Sequence, residues 1–182
     1  MRVRHSDFTP ANHKSRTKIK IIHKYKTEIK WAIIFTVVML MWMTLEKLTG
    51  LHNEHIDKHP IYTNFVSIPA IAVYIFALLN KRKTDYNGIM SYKQGVMAGI
   101  IITIFVTILT PLTQLITSTI ITPEYFPNVI EYSVNQGLMT EEVAKNAFNL
   151  KNYIIQATIG AFFMGLITSV MVAFFTKSKI SK

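Results

Sequence analysis

The sequence predicts an all-α integral membrane protein, with four transmembrane helices and a short helical hairpin capping the bundle between the third and the fourth. Three observations carry that fold class. Four long stretches are almost free of charge, over residues 29–49, 60–80, 94–121 and 153–176. A run of 18 or more apolar residues reads as a span, because ~20 residues at ~1.5 Å each cross a ~30 Å hydrocarbon core. The basic residues are segregated into every other connecting segment. Finally, residues 122–152 carry capping and amphipathic signals too short for a span but right for two small helices.

Residues 1–28 form a basic tail. With Lys30 it holds nine Lys/Arg against Asp7 and Glu28, and its first half is polar and aperiodic, which predicts partial disorder. From Lys18 to Lys30 bases alternate with Ile19, Ile21, Ile22 and Tyr25, a pattern for a basic helix lying on anionic lipid or for a plain topogenic signal. The membrane domain occupies 29–180. Its first span opens on the interfacial aromatic Trp31 and ends with Glu46 and Lys47, where snorkelling to the interface is the expected fate of Glu46. The apolar region is too long for a signal peptide and lacks a small-x-small cleavage site, so it reads as a retained span.

The polar turn GLHNEHIDKH leads into the second span, where Pro60 fits a helix start, Pro69 predicts a kink and Lys81–Arg82–Lys83 a sharp stop. The third span contains Pro111, whose missing N–H predicts a bend at Thr107. Beyond it, Thr122–Pro123 looks like a helix start that Pro127 interrupts. A first short helix then follows from Asn128 to a C-terminal Gly137, and a second is capped by Thr140, with Val143, Ala144, Ala147 and Phe148 as its apolar face. The fourth span closes on Lys177.

With the N-terminus in the cytoplasm, the tail, the 81–93 loop and the C-terminus carry nine, four and three Lys/Arg, against four in the two outer segments. The positive-inside bias therefore puts both termini inside, in a bacterial inner membrane, with the His-rich turn and the helical loop outside. Net charge is +10, and anionic lipid at the basic inner face explains it without nucleic acid. The chain has no cysteine, which excludes disulfides, thiolate metal sites, thiol nucleophiles and palmitoylation. It has no nucleotide loop, catalytic triad or nucleic-acid module, so no enzymatic role and no cofactor is expected.

Small residues recur at every fourth position, with Gly95 and Gly99 in the third span and Ala157, Ala161, Gly165 and Ser169 in the fourth. Without a hydrophobic drive in lipid, close helix approach needs such ladders, which predict a tight third–fourth pair or a homo-oligomer contact. His52, His55 and His59 would share one face of a helix and are the weak metal candidates; a polar turn facing headgroups is the plainer reading. Thr107 and Gln114, with Asn64 and Ser67, are candidates for a small polar pocket, against simple interhelical hydrogen bonding. The expected role is an accessory or scaffolding subunit that binds a partner protein or lipid. The alternative is a small transport or permeation unit using the polar half of the third span, and less favoured is an outward-facing metal-binding protein.

The segments GLHNEHIDKHPIYTNF, ALLNKRKTDYNGIMSYKQG and TPEYFPNVIEYSVNQG, followed by a Gly-bearing last span, resemble a membrane-protein family catalogued as domain of unknown function 4199 and typical of Bacteroidetes. The resemblance covers roughly residues 28–180 and implies four spans with a helical loop between the last two. It transfers no catalytic or binding residue.

Overall fold

The computed structural model describes residues 24–178, and the tail before them lies outside it. Among the described residues no strand occurs. The first span is α1 (Lys26–Leu48). The second is a broken rod made of α2 (His59–Tyr62), a 3-10 turn (Thr63–Val66) and α3 (Ser67–Asp85). The third is α4 (Tyr92–Ile116) with a π turn (Thr117–Ile121). Two short helices, α5 (Tyr125–Asn135) and α6 (Glu141–Ala147), precede the fourth span, α7 (Leu150–Thr176). All four rods are long and apolar enough to cross a membrane, so this is a multi-pass membrane protein.

The boundaries move for local reasons. Glu28 does not belong to a tail: it is buried in the bundle, 2.8 Å from Lys81, and α1 starts ahead of it. Lys81–Arg82–Lys83 does not stop the second span either. Lys81 is neutralised by Glu28 and Asp85, Arg82 donates to the Thr176 carbonyl at 2.9 Å, and the helix runs on to Asp85. α4 begins at Tyr92 because Ser91 and Gln94 form a capping box, and α7 begins at Leu150 because the Asn149 side chain accepts from the Asn152 N–H.

The prolines shape the helices in different ways. Pro69 cannot donate to the Phe65 carbonyl, and the break falls there as the 3-10 turn. α4 runs through Pro111, and the departure from α geometry comes later, where the Thr122 N–H reaches the Thr117 carbonyl at 2.8 Å. Pro127 does not interrupt a helix. It sits in the first turn of α5, where the missing N–H has no intrahelical partner to lose. Gly137, at φ +65°, ends α5, and Thr140 caps α6 as the sequence predicts. On α6, Ala144 is buried but Val143 is exposed, so the inward face is narrower than expected.

The end of the bundle that carries the chain termini is densely packed. α4 and α7 make its most extensive helix pair. A Cβ on Gly95 would lie 3.1 Å from Ala173 Cβ, one on Gly99 would lie 2.7 Å from Ser169 Cβ, and one on Gly165 would lie 2.5 Å from Thr103 Cγ2. The partners step along both helices in opposite directions, which is an antiparallel small-residue seam. Tyr74 of α3 closes it, with its hydroxyl 2.8 Å from Thr103 Oγ1. Ala77, Leu78, Ala98, Ile102 and Val172 fill the rest of this half.

Candidate functional site

The loop end is built differently. At the last turn of α1 the chain reverses through Gly50, at φ +77°. The Gly50 N–H bonds the Lys47 carbonyl at 3.0 Å and the Leu51 N–H bonds the Glu46 carbonyl at 3.0 Å, a Schellman closure that only a left-handed residue completes without strain. The reversal folds His52 back under the helix that has just ended, and His59 arrives from the other side at the start of α2.

Three side chains therefore converge. Glu46 Oε2 lies 3.3 Å from His52 Nε2 and 3.5 Å from His59 Nε2. Glu46 and His52 are fully buried and His59 is partly buried, its side chain 16% exposed. The other carboxylate oxygen, Glu46 Oε1, accepts the Trp42 indole N–H at 2.6 Å, and Thr63 approaches the same carboxylate. Tyr125, the first residue of α5, packs its ring 5.1 Å from His52 and 5.2 Å from His59, with its hydroxyl 3.5 Å from His59 Nδ1 and 3.2 Å from the Tyr153 hydroxyl. Burial first, and then the neighbouring Tyr153 and Glu46, push the Tyr125 hydroxyl far above the ordinary phenol range, so it stays protonated. Asn128 on the next turn of α5 donates to the His52 carbonyl at 2.9 Å and ties the hairpin to the turn.

This corrects two expectations. Glu46 does not snorkel: it is 1% exposed at the centre of the cluster. His52, His55 and His59 do not share a helical face, because residues 49–58 form successive turns, and His55 is left exposed outside the cluster. The signal that could have found Glu46 is its place four residues before Gly50, since a glycine C-terminus folds the following residues back onto the last turn.

Beneath the cluster the four spans leave a half-enclosed cavity of about 570 Å³. Phe35, Met39 and Met43 of α1, Tyr74 of α3, Val106 of α4 and Met164 of α7 supply apolar wall. Its polar patches are Thr63, Ser67, Thr113, Gln114 and Thr117. Of the four predicted pocket residues, Ser67 and Gln114 line it. Asn64 instead donates back to the Pro60 carbonyl at 2.7 Å, and Thr107 lies off the wall with its hydroxyl buried and unpartnered. Thr63 and Val66, three apart on the 3-10 turn, face inward together, while the Asn64 side chain is held away by its bonds to the Pro60 and Ile61 carbonyls. Ala157 and Ala161 line the same cavity, so the small-residue ladder of α7 packs along one half of its length and makes room along the other.

The fold and these features define a four-span helical membrane protein with a packed stem, an apolar cup and a buried Glu–His–His cluster above it. The chain belongs to the family described as "Protein of unknown function (DUF4199)", whose model matches residues 30–178, a stretch that takes in all four spans and both short helices. No curated protein and no solved structure matches it.

Proposed function

We propose that this protein is a non-enzymatic binding unit of a bacterial inner membrane that retains one lipid-derived acyl chain in the cup between its spans. The cavity is the observation that carries the reading. An apolar space of about 570 Å³ does not stay empty, because a wall without facing atoms forfeits its dispersion contacts. Its lining is mostly apolar, which disfavours water as the filler. Lipid chains surround the spans at this depth and fit such a wall. Ser67, Thr113, Gln114 and Thr117 offer hydrogen bonds to a polar group at one end of the chain. None of the lining residues is charged, which favours retention of an uncharged chain over an ion path through the polar half of the third span.

The cytoplasmic placement of both termini is supported by the nine, four and three Lys/Arg of the inner segments, which would also draw anionic lipid. Native mass spectrometry of the full chain from mild detergent tests the reading. The wild type should carry about one lipid per chain. Gly160 lines the cavity with nothing within 4 Å of an added Cβ, so Gly160→Leu should project into the cup and lower lipid retention without disturbing the fold. Equal lipid retention in both proteins would refute it.

A further inference from the structure

We propose that Glu46, His52 and His59 hold a divalent transition-metal ion of the zinc class at the loop end of the bundle, with the fourth coordination position left to water or an exogenous ligand. The inference stands on the cluster alone and does not need the cup to hold lipid.

The spacing is the first argument. A tetrahedral ion with bonds of ~2.0–2.1 Å sets its ligand atoms about 3.3 Å apart. Glu46 Oε2 sits 3.3 Å from His52 Nε2 and 3.5 Å from His59 Nε2, and all three ligand atoms lie within 4.8 Å of one another. Small side-chain rotations bring them around one centre.

The second argument is that two of the three outer atoms are already committed, His52 Nδ1 being the exception. Trp42 occupies Glu46 Oε1, which leaves Oε2 for the cluster. The Tyr125 hydroxyl faces His59 Nδ1, which leaves Nε2 pointing inward, and the Tyr125 hydroxyl can donate its own hydrogen bond to the Tyr153 oxygen. Metal-bound histidines are held in this way by an outer acceptor on the opposite ring nitrogen.

The third argument is the orphan. His59 Nε2 is buried without a hydrogen-bond partner, although a carboxylate oxygen lies 3.5 Å away. A simple ion pair between Glu46 and His52 leaves the His59 nitrogen unsatisfied, whereas a shared metal ion would engage Glu46 Oε2 and both Nε2 atoms together, with His52 Nδ1 unpartnered in either case.

The donor set selects the metal class. Two imidazoles and one carboxylate suit zinc and its first-row neighbours; calcium and magnesium take oxygen ligands instead, and the chain has no cysteine for a thiolate-seeking ion. A second cavity of about 360 Å³, lined by Trp42, His55 and Lys58 among others, reaches Glu46.

The test uses the full chain in detergent, stripped with a chelator and titrated with Zn²⁺ by calorimetry, with bound metal counted by elemental analysis. One zinc per chain is expected for the wild type and for His55→Ala. Affinity should fall more than ~100-fold in His52→Ala, His59→Ala and Glu46→Gln, beyond the range for outer partners. It should fall by about 10–100-fold in Trp42→Phe, which removes only the group that orients the carboxylate. No zinc on the wild type, wild-type affinity in His59→Ala, or equal loss in His55→Ala would each overturn the proposal. Should the ligand variants fail to fold, the wild type decides: zinc must raise its melting temperature in a concentration-dependent way, and no rise overturns the site.

Discussion

Replacing Gly165 with Ala should loosen the stem, and the structure sets how much. The new methyl would sit 2.5 Å from Thr103 Cγ2, 2.7 Å from Thr103 Oγ1 and 3.0 Å from the Tyr74 hydroxyl. Thr103 cannot step aside freely, because its hydroxyl bonds the Gly99 carbonyl at 3.0 Å and lies 3.3 Å from Ser169 Oγ. Overpacking of this kind costs about 1–3 kcal/mol. Parting Thr103 from Tyr74 adds about 1 kcal/mol, and Ala gains about 1 kcal/mol over Gly in a helix. The net loss is about 2 kcal/mol, or a melting temperature lower by about 4–8 °C for a chain of this size. Gly160→Ala, five residues earlier on the same helix, meets nothing within 4 Å and should keep the helix gain alone, with a rise of about 2–4 °C. Both shifts can be read from the intrinsic fluorescence of Trp31 and Trp42 during heating in detergent. If the two substitutions shift the melting temperature alike, close approach of α4 and α7 is not what holds the stem.

Lys81→Met should destabilise by about 3–5 kcal/mol, because it leaves Glu28 buried at 2% exposure without its cation. Adding Glu28→Leu should recover most of the loss, and a double variant no more stable than the single one would show that the ion pair is not the source. Gly50→Ala should cost about 1–2 kcal/mol from its left-handed φ of +77°, with Gly137→Ala, at +65°, costing a similar amount in the same thermal assay.

The spans were legible because the middle of each is a long uncharged run, and hydrocarbon tolerates little else. The hairpin was legible from Gly137 and Thr140, whose roles are set by their immediate neighbours. Where reading failed, the missing information was tertiary. Lys81 looked like a stop signal because Glu28 is 53 positions away in the chain, and only the folded bundle brings the two to 2.8 Å. Glu46 looked like an interfacial acid because its partners lie across a reversal that helical spacing cannot describe. The histidine triplet was judged on a helix that Gly50 forbids, so His52 and His59 emerged in a different set from the one their spacing implied, and His55 dropped out. Ser91 and Gln94 are a purely local signal of a helix start, since Ser-x-x-Gln before an apolar run forms a capping box.

The division of the bundle into a solid stem and a hollow cup has a dynamic consequence. Local opening requires breaking only what is packed nearby, so its free-energy cost varies along the same four helices. At the stem, separating α4 from α7 means pulling apart interlocked glycines and a chain of hydroxyls. At the cup, the walls meet across space rather than through contact, and the π turn and the 3-10 turn lie on that side. The helices are thus joined by contact along the stem and, at the other end, only by the ties that bridge them, like the legs of a pair of dividers. The Glu46–His52–His59 cluster and the Asn128 bond to the His52 carbonyl act as the screw that sets how wide the legs can open.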